Sequence, residues 1–183
     1  MNQPPGDGLP RHGHGVQLRR LSPDDLRTFQ SYRHDPALAR YQGWSALSDA
    51  KASAFLAEMG AAPLLQPGRW TQLGIATPEG GRLIGDIGIH LDAAGHDAEI
   101  GFTLERGSQG RGLATAAVRE AIRLVFEASA AERVLGITDA RNSASLRLLE
   151  RVGMTRLKTG KALFRGEACV EHVYALARDP ARP

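Results

Sequence analysis

The stretch Ile100-Gly101-Phe102-Thr103-Leu104-Glu105-Arg106-Gly107-Ser108-Gln109-Gly110-Arg111-Gly112-Leu113-Ala114-Thr115 has residue types suited to holding a phosphate. An apolar strand runs into a glycine-rich turn that opens a helix, so unpaired backbone N–H groups and the positive helix end converge on one point. Glycines at 110 and 112 let the backbone approach an anion closely, and Arg111 adds charge there. A Walker loop is excluded, because no Lys occurs between Lys51 and Lys158. A dinucleotide fingerprint fails at its third place, which is Thr115. The pattern Q/R-x-x-G-x-G/A fits Gln109 to Ala114 without a gap. A glycine turn that merely caps a helix is the plain alternative.

The surrounding periodicity supplies the elements that must position this loop. Val16 to Leu21 alternates as a half-buried strand, and Ser22-Pro23-Asp24-Asp25 starts a helix over Leu26 to Tyr32 that His34-Asp35-Pro36 ends. Ser48 caps another helix through about Met59. Trp70–Thr77, Arg82–Leu91 and Ala98–Leu104 read as an antiparallel meander. A long helix follows Gly112, with Ala117, Ala121 and Val125 on one face. Val134 to Thr138 is a buried strand, and Asn142 heads a second amphipathic helix that ends at Gly153. Thr155–Lys158, Ala162–Arg165 and Glu171–Leu176 close the order, which is mixed α/β.

With 183 residues, 42% hydrophobic and 23% charged, the chain fits one domain with a real core. The expected division is a flexible N-terminal tail over 1–15, one domain over 16–178 and a C-terminal tail over 179–183. No apolar run reaches membrane-spanning length and the N-terminus lacks a signal-peptide pattern, so no membrane association and a cytoplasmic location are expected. Cys169 is the only cysteine, which excludes an internal disulfide and a Cys-rich zinc site. The net charge of +3 is spread along the chain and aromatics are 5%, so dedicated nucleic-acid binding is not expected. His12 and His14 stand in the expected tail without further ligands, and no metal is expected.

At these residues the sequence resembles the GNAT acyl-CoA-dependent N-acetyltransferases, in the branch of the RimJ- and RimL-like ribosomal-protein alanine N-acetyltransferases. The resemblance runs from Val16 to Leu176. Its marks are Ile84-Gly85-Asp86, Ala98-Glu99-Ile100-Gly101-Phe102, the Gln109 to Thr115 loop, Asn142-Ser143-Ala144-Ser145 with Leu148 to Met154, Gly166-Glu167 and Tyr174-Ala175-Leu176. It implies a mixed, mostly antiparallel twisted sheet flanked by helices, with acetyl-CoA as co-substrate. Phe102, Thr103 and Leu104 would present backbone groups to the pantetheine arm, and Gln109, Gly110, Arg111, Gly112, Leu113, Ala114 and Thr115 would hold the pyrophosphate. Asn142 and Ser145 would lie along the cofactor one helical turn apart; an N-cap and a solvated helix residue are their plain alternatives.

The implied reaction is direct attack of a primary amine on the thioester, which needs a base, a stabilised oxyanion and a protonated leaving thiolate. Glu99 is the first candidate for the base, since alternation puts it on the face of Gly101 and Thr103 and partial burial there raises a carboxyl pKa. A strand-edge carboxylate paired with Arg is its alternative. Asp86 is a second carboxylate, able to bind a substrate cation or relay through water. Many family members carry Tyr seven residues after the Asn, where this chain has Leu149, so Ser145 is the candidate acid. Other departures are Arg106-Gly107 for the usual Pro-Glu, Ala116 for a frequent Glu, and Ala168 where Trp often follows Gly-Glu. Tyr41 and Trp44 fall in the region that covers the acceptor in this family. The acceptor is expected to be a protein N-terminus or a small amine, and a homodimer is compatible with the resemblance. A non-catalytic acyl-CoA sensor that lost its acid is the rival reading.

Overall fold

Alternation of apolar and polar residues builds the central strands, and their register decides which side chains share a face. The structure, a computed structural model, describes residues 7–179. Its eight strands are β1 (Arg11–Gly13), β2 (Val16–Arg20), β3 (Arg69–Ala76), β4 (Leu83–Leu91), β5 (Asp97–Leu104), β6 (Arg133–Asp139), β7 (Thr155–Phe164) and β8 (Glu167–Ala177). They form one sheet in the order β1-β2-β3-β4-β5-β6-β8-β7. Every pairing is antiparallel except β5 with β6. Five helices flank the sheet: α1 (Leu26–Arg33), α2 (Pro36–Ala39), α3 (Asp49–Ala61), α4 (Leu113–Ala128) and α5 (Ser143–Arg151). The expected mixed, mostly antiparallel architecture is the one observed.

One face of the sheet buries Leu18, Leu73, Ile75, Ile87, Ile89 and Ile100 against Ala117, Val118, Ala121 and Val125 of α4 and Leu148 and Leu149 of α5. The sequence periodicity of α4 is therefore its packing face. On the opposite side, Phe29 and Tyr32 of α1 and Ala52 and Leu56 of α3 form a second cluster with Leu21 and Leu83. Because side chains alternate, Asp86, Gly88 and His90 point away from the face of Ile87 and Ile89, and their register partners Thr103, Gly101 and Glu99 point with them.

Three expectations about the elements change. Folding begins at Arg11 rather than Val16: β1 pairs with β2, and the Arg11 guanidinium reaches Glu127 of α4 at 2.7 Å and the buried Glu120 at 3.8 Å. Those long-range ion pairs have no local sequence signal, which is why 11–13 read as tail; residues 1–6 and 180–183 lie outside the described residues. Thr155 to Phe164 is one continuous edge strand rather than two pieces, with a register irregularity between Arg156 and Lys158. The break at Asp35-Pro36 is itself a helix start, since the Asp35 carboxylate accepts from the Ala37 and Leu38 N–H groups to cap α2.

Candidate active site

β5 and β6 pair only over Asp97–Glu99 and Arg133–Leu135 and then diverge. Beyond Glu99, β5 keeps β4 on one side and leaves its other backbone edge facing a gap. Two cavities meet there. One, of about 580 Å³, runs between the loop before α4 and the start of α5; the other, of about 730 Å³, lies on the α1 side of the sheet. Both touch Tyr41, Gln42, Gly101, Phe102, Thr103 and Thr138.

The first cavity is a groove whose lining could hold an anion. Gly110 and Gly112 have φ of 74° and 78°, the left-handed region that only glycine enters cheaply, and nothing lies within 4 Å of a side chain built at either position. The first helical bond of α4 runs from Ala116 N–H to Gly112 C=O at 3.0 Å, so the N–H groups of Leu113, Ala114 and Thr115 precede the ladder and face the groove mouth. Leu113, Ala114 and Thr115 line the groove with Gln109, Gly110 and Gly112, whereas Arg111 is exposed outside its lining. The Gln109 side chain turns back and donates to Leu104 C=O at 2.9 Å, tying the loop to β5. Arg106, which stands where the family favours Pro-Glu, fastens the same loop to α2 through the Asp35 carboxylate.

Asn142 caps α5, its Oδ1 accepting from Ser145 N–H at 3.2 Å, and both residues line the groove. Capping and lining are thus compatible uses of Asn142. Leu149 lies against Gly136, where an added Cβ would come within 2.6 Å of its Cδ2. The Leu149 side chain is packed there and carries no proton to give. Sequence reasoning missed Arg147 and Arg151, which line the groove one helical turn apart; their i, i+4 spacing was a readable signal. Arg151 also donates to Thr115 Oγ at 3.4 Å, bridging α5 to the loop. A groove with helix N–H groups, left-handed glycines and two guanidinium groups fits the phosphates of CoA.

The second cavity is aromatic and acidic. Phe29, Trp44, Phe55, Trp70 and Phe164 line it together with Glu99, Glu171, Asp139 and Asp86. Glu99 is half-buried, and burial pushes its carboxyl above the ordinary carboxylate range; His90 across the register opposes the shift and Glu171 adds to it. Asp139 is paired with Arg141 at 2.6 Å, which holds it ionised below its ordinary range. Tyr41 lines both cavities, and Trp44 donates through Nε1 to Thr103 Oγ at 3.3 Å, so the segment before α3 roofs β5. Gln42 donates to Phe102 C=O at 3.1 Å, occupying one of the β5 backbone groups assigned by resemblance to the cofactor arm.

Asp86 does not have the freedom of a catalytic carboxylate. It is 1% exposed and accepts from Tyr32 Oη at 2.5 Å, from Gln72 Nε2 at 2.6 Å and from Arg33 Nη2 at 2.8 and 2.9 Å. Its lone pairs are committed to protein donors, so its role is to anchor Arg33 rather than to take a proton from substrate. Burial and the adjacent Asp86 carboxylate push the Tyr32 phenol well above its ordinary value, which keeps it a donor to Asp86.

Comparison with known proteins places these features among acetyltransferases. A family model described as an acetyltransferase (GNAT) domain matches residues 16–155. The uncharacterized N-acetyltransferase p20 of Bacillus licheniformis is 26% identical over 135 residues, covering 73% of this chain and 75% of that one. The putative ribosomal N-acetyltransferase YdaF of Bacillus subtilis is 37% identical over 83 residues, 45% of this chain and 44% of that one. The crystal structure of a GNAT-family acetyltransferase from Bacillus anthracis superposes with a TM-score of 0.81 at 19% identity, covering 92% of this chain and 98% of that one.

Proposed function

The chain belongs to the GNAT acetyltransferase family and is an acetyl-CoA-dependent N-acetyltransferase, and from that premise we propose that its acceptor is a cationic primary amine bound in the aromatic, acidic cavity, with Glu99 as base and Ser145 as acid. The observation that carries the proposal is the meeting of the two cavities at the divergence of β5 and β6, with Glu99 on one side and Ser145 on the other.

Acetyl-CoA supplies the activated acyl group. The loop from Gln109 to Thr115 with Arg147 and Arg151 holds its phosphates, and the backbone edge of Phe102, Thr103 and Leu104 receives its arm, with Gln42 giving up the Phe102 carbonyl. Glu99 draws the ammonium form of the amine into the cavity and takes a proton from it; partial burial, with no ion-pair partner among the described residues, brings its pKa nearer to that task. Ser145, whose hydroxyl faces no protein acceptor among the described residues, offers a proton on the groove side. The Trp44 and Tyr41 rings exclude water above β5. The similarity to a putative ribosomal N-acetyltransferase makes a protein N-terminus one source of the amine, and a small amine is the other.

The test is calorimetric titration of acetyl-CoA into the protein, followed by thiol-release assays over a panel of small amines and peptide N-termini with wild type and Glu99→Gln. Binding with turnover that falls at least ~100-fold in the variant is expected. Unchanged turnover in Glu99→Gln removes Glu99 as the base.

A further inference from the structure

Among the described residues Arg33 is the one cation lining the acceptor cavity, and its guanidinium is only partly used. Its side chain is 7% exposed. Nη2 bonds both oxygens of Asp86, while Nε is sealed from water with no partner. Nη1 makes no hydrogen bond of normal geometry among the described residues, although the guanidinium also acts on the neighbouring Tyr32 phenol, and since Arg33 lines the cavity Nη1 is the nitrogen left for a ligand there. The Arg33 Cζ lies 4.6 Å from the Phe29 ring centre and 4.3 Å from that of Trp44, so the plane is clamped between two rings and by Asp86. A guanidinium fixed this firmly, with unspent donors on one edge, is arranged to read an oxygen atom.

The register sets where that oxygen would sit. Asp86 lies opposite Thr103, Gly88 opposite Gly101, and His90 opposite Glu99. Arg33 on Asp86 and the free carboxylate of Glu99 therefore stand at two ends of a trough about 13 Å long, from four residues at about 3.3 Å each. Its floor at Gly101 is open, with nothing within 4 Å of an added Cβ. Aromatic walls run between the ends. The charge of Arg33 is already balanced by Asp86, and Glu99 and Glu171 face the same space without ion-pair partners among the described residues, so a carboxylate on the substrate would be repelled. An uncharged oxygen would not.

We propose that Arg33 determines acceptor specificity: its Nη1 donors hold an uncharged, amide-type carbonyl oxygen of the acceptor at the Asp86 end of the trough, with an apolar stretch lying along the rings between that oxygen and the amine. This rests on the amine-acetyltransferase reading above and names the class of amine that the site selects.

Three probes of equal chain length separate the chemistry: 6-aminohexanamide, heptylamine and 6-aminohexanoate. Thiol release gives kcat and KM for each with wild type and with Arg33→Lys, which keeps a cation on Asp86 but loses the forked donors; thermal unfolding and acetyl-CoA titration establish that the variant is folded. Wild type is expected to favour the amide over both other probes by at least ~10-fold in kcat/KM, the discrimination of one hydrogen bond to a charged donor. In Arg33→Lys the amide-to-heptylamine ratio collapses toward one, through KM rather than kcat. If Arg33→Lys is unstable, Arg33→Gln with Asp86→Asn removes both charges together and is read the same way. Turnover of heptylamine by wild type without preference for the amide, or a ratio that survives substitution, overturns the role of Arg33 and leaves amine acetylation standing. No thiol release with any of the three probes, when acetyl-CoA binds and a peptide N-terminus of the wider panel is turned over, overturns the Arg33 assignment and leaves amine acetylation standing; no release with any amine or peptide of that panel overturns the acceptor reading itself.

Discussion

Asp86→Ala tests the distinction between an anchoring and a catalytic carboxylate. The substitution strips the partner from a guanidinium whose side chain is 7% exposed and removes the acceptor used by Tyr32 and Gln72. Removing one member of a buried pair costs about 3–5 kcal/mol, because the remaining charge stays buried without compensation. At about 2–4 °C per kcal/mol for a domain of this size, the melting temperature falls by about 6–20 °C. Differential scanning calorimetry of wild type, Asp86→Ala and the double variant Asp86→Leu with Arg33→Met measures it. The double variant recovers much of the loss, since replacing both charges with apolar groups leaves no orphaned ion. A melting temperature for Asp86→Ala within 2 °C of wild type, with acetyl transfer abolished, would refute the anchoring role and restore Asp86 as a catalytic group.

Because burial raises the Glu99 pKa, its ionised form is disfavoured in the folded state; the base is active only as pH rises through that raised value, and the same rise weakens folding. Rate profiles should therefore climb with pH through a value above the ordinary carboxylate range, and Glu99→Gln should gain melting temperature relative to wild type at pH 8 but not at pH 4. Reversing Arg147 and Arg151 to Glu should weaken acetyl-CoA binding by at least ~10-fold and flatten its salt dependence, as titration at two ionic strengths would record. Placing Asp at Gly110 and Gly112 should abolish acetyl-CoA binding by repulsion at the helix end. The left-handed backbone there costs roughly 1–2 kcal/mol per site, so the variant still shows a cooperative unfolding transition.

Local chemistry made much of the molecule legible. Glycine spacing and the helix that follows located the left-handed loop that lines the groove, because such turns and helix starts are written in neighbouring residues. Alternation along β4 and β5 predicted correctly that Glu99 shares a face with Gly101 and Thr103, because strand side chains have a fixed period of two. Asn142 heads α5 as expected, and the cap weighed as its plain alternative is present, for the same local reason.

What the sequence left open depends on partners far along the chain. Nothing near Asp86 reveals that Tyr32, Arg33 and Gln72, 14 to 54 residues away, consume its lone pairs. Arg11 reads as tail until Glu120 and Glu127 of α4 are brought to it. That Arg33 and Glu171 line one cavity appears only where α1 and β8 are brought beside β5. The order of most elements, the glycine-rich loop before α4 and the shared face of Glu99, Gly101 and Thr103 are legible in the chain alone, since these follow from backbone geometry over a few residues. Which charges are spent on each other and which stay unpaired beside the cavities is set by the folded packing, since desolvation and pairing depend on everything around a group.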